Sequence, residues 1–172
     1  LHYVPITNKL VPGSSHFPLL QFYMQHPFYD YYWYIEDDVR FSGDWEYFFS
    51  FISGLTPASD FSSCHIRTYQ EEPAWCWWHS FRHERHYIPF YLRIRSFNPI
   101  FRISNDALCC IHQALSDRWR GHQEVLMPTL LCLEGFKIMD FGGIGQFVRP
   151  GLQNKFYTSH EPNLSGDLNN GT

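Results

Sequence analysis

Tyr31-Tyr32-Trp33-Tyr34-Ile35-Glu36-Asp37-Asp38 is the stretch on which the reading of the chain turns. Its first five residues are aromatic or β-branched without a break, the pattern of a strand buried on both faces. The three acids follow at once, at the carboxyl end of that strand, which is where open α/β sheets bind ligands. Side chains alternate along an extended chain, so Glu36 and Asp38 share one face and Asp37 points to the other. Adjacent carboxylates repel one another. A divalent cation such as Mg or Mn relieves that repulsion, because it prefers oxygen ligands and commonly takes one or two carboxylates alongside substrate phosphates. A solvated acidic loop that merely caps the next helix is the competing reading.

Outward from this stretch, helices and strands alternate. Residues 17–25 read as a helix with Pro18 in its first turn and Pro27 as its stop. Ser42-Gly43-Asp44 reads as a turn and N-cap for a helix over 45–52, and 61–67 as a strand. Ser104 caps a helix over 105–115, with Leu108, Ile111 and Leu115 on one face. A further helix spans 123–133 with Gly135 as its stop, and a strand over 137–141 is closed by Gly142-Gly143. The segment 71–94, rich in Trp, His and Arg, has no clear period and reads as an irregular functional loop or β-excursion. The class is therefore α/β. Residues 1–160 are expected to form one domain and 161–172 a disordered tail.

Composition removes several function classes. With 44 % hydrophobic and 17 % charged residues in 172, the chain is globular rather than disordered. A net charge of −4 without runs of like charge gives no footprint for nucleic acid. No stretch approaches the ~18 apolar residues of a membrane span. The five cysteines, Cys64, Cys76, Cys109, Cys110 and Cys132, are odd in number and form no C-x-x-C pair, so buried reduced thiols are expected rather than disulfides or a zinc site. Aromatic residues reach 19 %, which supplies core volume and also flat platforms for sugars.

A second acid stands out. Glu124 follows Gly121-His122-Gln123 at the start of a helix, where the dipole favours a negative charge whatever its role. A functional Glu124 would be a general base that takes a proton from an acceptor hydroxyl, with His122 orienting it or touching the acceptor. Pro128 supports an irregular first turn, since it has no N–H to bond the Glu124 carbonyl. In the 71–94 segment, Trp77 and Trp78 are candidates for stacking on a sugar. His79, His83 and His86 have helical spacing, but no acid or Cys completes an obvious tetrahedral set, and Arg82 and Arg85 intervene. Arg93, Arg95 and Arg102 are candidates to neutralise phosphate, with surface pairing as the ordinary alternative.

Tyr29-Asp30-Tyr31-Tyr32-Trp33, Ile35 through Trp45, Ser96-Phe97-Asn98-Pro99-Ile100, Arg102-Ile103-Ser104, Gly121 through Val125 and Asp140-Phe141-Gly142-Gly143 together resemble segments of fungal and bacterial glycosyltransferase-like proteins, in order along most of the chain. The resemblance implies a GT-A-like, Rossmann-like mixed sheet flanked by helices. Glu36-Asp37-Asp38 would stand for its DxD turn, with Asp38 the direct ligand of Mn or Mg, Glu36 assisting and Asp37 near the substrate. Glu124 would be its xED-type acid, and His160 a late metal ligand. The Ser104-capped helix, Arg102 and the Gly142-Gly143 turn would shape the substrate pocket. The implied partners are a nucleotide-sugar donor and a glycan or other hydroxyl acceptor. Only 35 residues precede Glu36, too few for the strand and loop that grip the nucleotide base in such folds. The chain is thus expected to be a C-terminal portion, incomplete at its N-terminus. A non-catalytic carbohydrate-binding module and an inactive truncated product are the other two expectations.

Overall fold

The computed structural model describes residues 13–55 and 57–158. Eight elements follow in order: α1 (His16–Gln25), β1 (Tyr31–Ile35), α2 (Trp45–Gly54), β2 (Phe61–Thr68), β3 (Ile94–Ser104), α3 (Asn105–Ser116), α4 (Gln123–Leu133) and β4 (Ile138–Asp140), with short 3-10 turns at Trp78–Ser80 and Phe90–Leu92. Among the described residues there is one four-stranded sheet in the order β1-β3-β2-β4. β3 runs antiparallel to both neighbours, and β4 is parallel to β2. The architecture is α/β, a mixed sheet flanked by helices.

Helices cover both faces. On one side α1, α3 and α4 bury Leu20, Leu108, Ile111, Leu126 and Leu131 against Phe61, Phe101 and Ile103. On the other, α2 sets Phe48 and Ile52 against Ile100, Phe141 and Phe156. The expected caps form: Asp44 Oδ1 accepts the Tyr47 N–H at 3.1 Å and Ser104 Oγ accepts the Ala107 N–H at 3.2 Å.

Three expectations are corrected. β1 is not buried on both faces. It lies at the sheet edge with only Tyr32 buried, while half-buried Trp33 and Tyr34 pack against the cores on opposite faces. The centre of the sheet is β2 with β3, the longest strand, which starts where the segment without a sequence period ends. Asn98 and Pro99 disguise it. Proline is normally excluded from a central strand. Here the β2–β3 register shifts between Ser62 and Cys64 and again between Cys64 and Arg67, which accommodates it. Third, the cysteines are all free but only Cys64 is buried; Cys76 and Cys132 are exposed.

Two further features fix the surroundings of the site. Thr129 Oγ1 accepts the Ile94 N–H at 3.0 Å and donates to the Ile94 carbonyl at 2.9 Å, pinning α4 to the start of β3. His65 in β2 is buried with φ of 48°, in the left-handed region. Its N–H bonds Tyr157 Oη at 2.6 Å and its Nε2 meets Glu72 Oε1 at 2.6 Å, so the strained backbone is held by side chains on two sides. No helix among the described residues is long and apolar enough to cross a membrane. His160 and the expected tail 161–172 lie outside the described residues.

Candidate active site

The site forms where β1 ends beside the kink of β3. The ladder pairs Ile35 with Ile100, and the Glu36 N–H continues it by bonding the Pro99 carbonyl at 2.8 Å. One residue earlier on β3, the Asn98 N–H points away from β1 and donates to Glu124 Oε1 at 3.2 Å. Both acids are thereby carried to one stretch of backbone.

Glu124 sits in the first turn of α4 with 14 % of its side chain exposed. Burial pushes its carboxyl up to about 7, the Glu36 charge adds to the rise, and Arg95 and the Asn98 N–H oppose it. A carboxyl so poised holds or releases a proton near neutral pH, the property required of a general base or acid. Glu36 is itself raised, first by burial and then by Asp38 and Asp37.

His122 is the N-cap residue of α4. Its Nδ1 accepts the Glu124 N–H at 3.4 Å and lies 3.7 Å from Glu124 Oε2. Burial, followed by the Arg95 charge, lowers it to about 4, so the ring is neutral at pH 7. With Nδ1 accepting, the proton resides on Nε2. Trp77 stacks on this imidazole at 4.9 Å between centroids, and Trp75 meets it edge-on at 5.9 Å. Trp77 remains 43 % exposed.

Arg95, on β3, supplies the positive charge. Its guanidinium lies over the Trp75 ring at 4.7 Å and bonds Glu72 Oε2 at 2.8 Å, while Glu72 also holds His65. The Nε of Arg95 and the Nδ2 of Asn98 are buried without a partner among the described residues. Unpaired buried donors are costly, and they are the groups a ligand oxygen would satisfy.

Sequence-predicted positions thus divide. Glu36, Trp77, His122 and Glu124 are assembled around the Arg95–Asn98 segment. Trp78 turns inward, 1 % exposed, and its Nε1 donates to the Glu72 carbonyl at 2.8 Å. Arg102 lies about 13 Å farther along β3 at ~3.3 Å per residue, with its guanidinium 3.5 Å over the Tyr31 ring. Ser104 spends its hydroxyl on the α3 cap and on Asp60 at 3.4 Å. Gly142 and Gly143 are buried, and their N–H groups both donate to Asp140 Oδ1 at 3.0 Å. Tyr157 Oη donates to the same oxygen at 2.7 Å and the Ile66 N–H to Oδ2 at 2.9 Å, so this turn is a structural clasp. A side chain at Gly143 would run into the Tyr157 ring. The contributions of Trp75, Asn98 and Glu72 carry no sequence signal beyond an Asn-Pro dipeptide and a Trp-rich loop.

The acidic turn suits a hard cation in donor type. Glu36 is half-buried and Asp37 and Asp38 are exposed. No ion pair among the described residues involves them, and Arg40 instead bonds the carbonyls of Asp37 and Val39 at 2.8 and 2.9 Å. Their carboxylates do not converge on one point, so a cation there would share its coordination sphere with ligand oxygens or water. The group of three such side chains that does converge, within 4.8 Å, is His83, His86 and Asp117, where Asp117 is the acid that sequence spacing did not reveal. Both ring nitrogens of His83 are engaged, Nδ1 by the N–H groups of Arg85 and His86 and Nε2 by the Asp117 carbonyl at 2.6 Å. Comparison with protein-family models, curated proteins and solved structures yields no match.

Proposed function

We propose that the chain carries the acceptor-activating and acid-lined part of a GT-A-like glycosyltransferase site, transferring a sugar from a nucleotide-sugar to an acceptor hydroxyl. The observation that carries this reading is the Glu124 carboxyl, held by Asn98, raised to about 7 and set beside Glu36 at the carboxyl end of β1. An ionised Glu124 would take the proton of the acceptor hydroxyl as its oxygen bonds the anomeric carbon. The bond from that carbon to the donor phosphate breaks, and the nucleoside diphosphate leaves with the electron pair. His122 Nε2–H and the stacked Trp77 would hold the acceptor ring. Asp38 and Glu36 would supply carboxylate oxygens for Mn or Mg, whose charge would offset that of the leaving diphosphate. Arg95 keeps the base from being wholly protonated.

The experiment is nucleotide-sugar turnover with Mn by the longest natural form of the chain. Loss of turnover in Glu124→Gln and Asp38→Ala is expected, and an unchanged rate in either sinks the mechanism. The exposed Trp77–His122 stack favours a second reading, a carbohydrate-binding module. Metal-independent binding of free sugar that vanishes in Trp77→Ala but survives Asp38→Ala would favour that module instead.

A further inference from the structure

A cavity of about 430 Å³ opens on the other side of the Trp78–Ser80 turn, lined in part by Arg82, Arg85, Arg93, His83, His86 and Trp119. Its size lies within the range of small-molecule sites. One wall is a column of rings: Phe81 on Trp119 at 5.0 Å, Trp119 on His83 at 4.8 Å, and His83 on His86 at 4.7 Å. Short antiparallel bonds, Arg82 N–H to the Arg120 carbonyl at 2.9 Å and the reverse at 3.0 Å, fix the wall to the segment after α3.

The charge in this cavity is unbalanced. Arg93 is buried and stacks over Phe90 at 4.3 Å and Phe81 at 5.3 Å; its partners are the carbonyls of Trp78 and Ile88, not a carboxylate. The Arg82 guanidinium has no ion pair among the described residues. Glu84, the acid in the lining, is drawn off by Arg118 at 3.1 Å and Arg120 at 3.9 Å. Asp117 is shared by Arg85 at 3.5 Å and His83 at 3.6 Å. In the lining, Arg82, Arg85 and Arg93 therefore stand against Glu84 alone, with Asp117 beside them. That field repels a cation at His83, His86 and Asp117, and a buried guanidinium without an anion invites one.

We propose that this cavity binds a small ring compound carrying a phosphate, with the phosphate between Arg82 and Arg93 and the ring against the aromatic column. Guanidinium groups match phosphate geometry in two-point contacts, and flat rings stack on imidazole and indole. None of Glu36, Trp77, His122 and Glu124 lines this cavity, and the proposal does not depend on what the Glu124 site does.

The test is titration of the whole chain at low salt, read by Trp fluorescence and calorimetry, with uridine monophosphate against uridine and glucose 6-phosphate against glucose. At least one phosphorylated member should bind tenfold or more tightly than its neutral partner. Arg82→Gln should cut that affinity at least fivefold, while Lys137→Gln, an exposed basic residue outside the lining, leaves it within twofold. Trp77→Ala should leave it unchanged, which separates this site from the active-site cleft. No preference for phosphate up to about 10 mM, or equal losses in Arg82→Gln and Lys137→Gln, would overturn the proposal. Tight zinc binding abolished by His86→Ala, with no phosphate preference, would assign the cluster to a metal instead.

Discussion

The Asn98 N–H donates to Glu124 Oε1 at 3.2 Å, tying the first turn of α4 to the kinked middle of β3. A carboxyl raised by burial to about 7 is thereby fixed to a central strand of the sheet rather than to a loop. Replacing Glu124 by Gln keeps the shape and the Asn98 bond but removes the base. Turnover should fall roughly 10²- to 10⁴-fold, as for loss of a general base, with acceptor binding nearly unchanged. The wild-type rate should rise through a limb near pH 7 and level above it, because the base works only when ionised.

The same substitution makes a stability prediction of the opposite sign. The Glu124 carboxyl titrates near 7 folded against 4.5 unfolded, so the fold favours the protonated form. Wild type should therefore lose stability relative to Glu124→Gln as pH rises from about 4.5, with the gap levelling above about 7. A difference of 2.5 units at 1.36 kcal/mol each puts the gap on the order of 3 kcal/mol. Urea denaturation of both proteins from pH 4 to 8 measures it. A flat difference curve would mean that Glu124 is not buried as described.

Neighbouring charges should move the activity limb in opposite directions. Glu36→Gln removes a charge that raises Glu124, so the limb should shift to lower pH. Arg95→Gln removes one that lowers it, so the limb should shift to higher pH. Both shifts are read from the pH dependence of kcat/KM. Parallel shifts would break the placement of the three groups around one carboxyl.

The two adjacent tryptophans should behave as opposites. Trp77→Ala should raise acceptor KM roughly threefold to tenfold, the scale of one aromatic stack, with little change in melting temperature. Trp78→Ala should destabilise by about 3–5 kcal/mol, as expected for emptying a buried indole. Thermal melts and KM values separate the two outcomes.

Asp140→Asn should cost at least about 2 kcal/mol, since a neutral amide cannot accept all four of the hydrogen bonds that the two carboxylate oxygens now take. Its amide would face donors only. Loss of stability without a selective change in Glu124 titration would mark the Asp140 clasp as structural.

Much of this was legible beforehand. α4 follows its sequence reading at both ends, because a capping position, an apolar run and a terminal Gly coincide there. α3 and β2 agree within a residue. β3 was hidden because its pairing runs through bulges, and because Arg95, Asn98 and Arg102 are buried polar residues, which no hydrophobic period records. The acids Glu36 and Glu124 were legible singly, each at an element terminus. Their meeting was not, since it depends on the β1–β3 register and the Asn98 bond. Glu72 meets Arg95 across 23 residues and Asp117 meets His83 across 34, so spacing could not find those pairs.

The proline in the middle of β3 has a consequence for how this chain can change over time. The stretch of β3 from Arg95 to Ile100 sets three directions at once: the Arg95 side chain toward Glu72, the Asn98 N–H toward Glu124, and the Pro99 carbonyl toward Glu36. Inserting or deleting a single residue there would turn each group to the opposite face of the sheet. An exposed turn such as the one at Pro150 and Gly151 can lengthen or shorten without that penalty. In descendants of this chain, loop length is free to drift, while these six positions can exchange side chains but not their number.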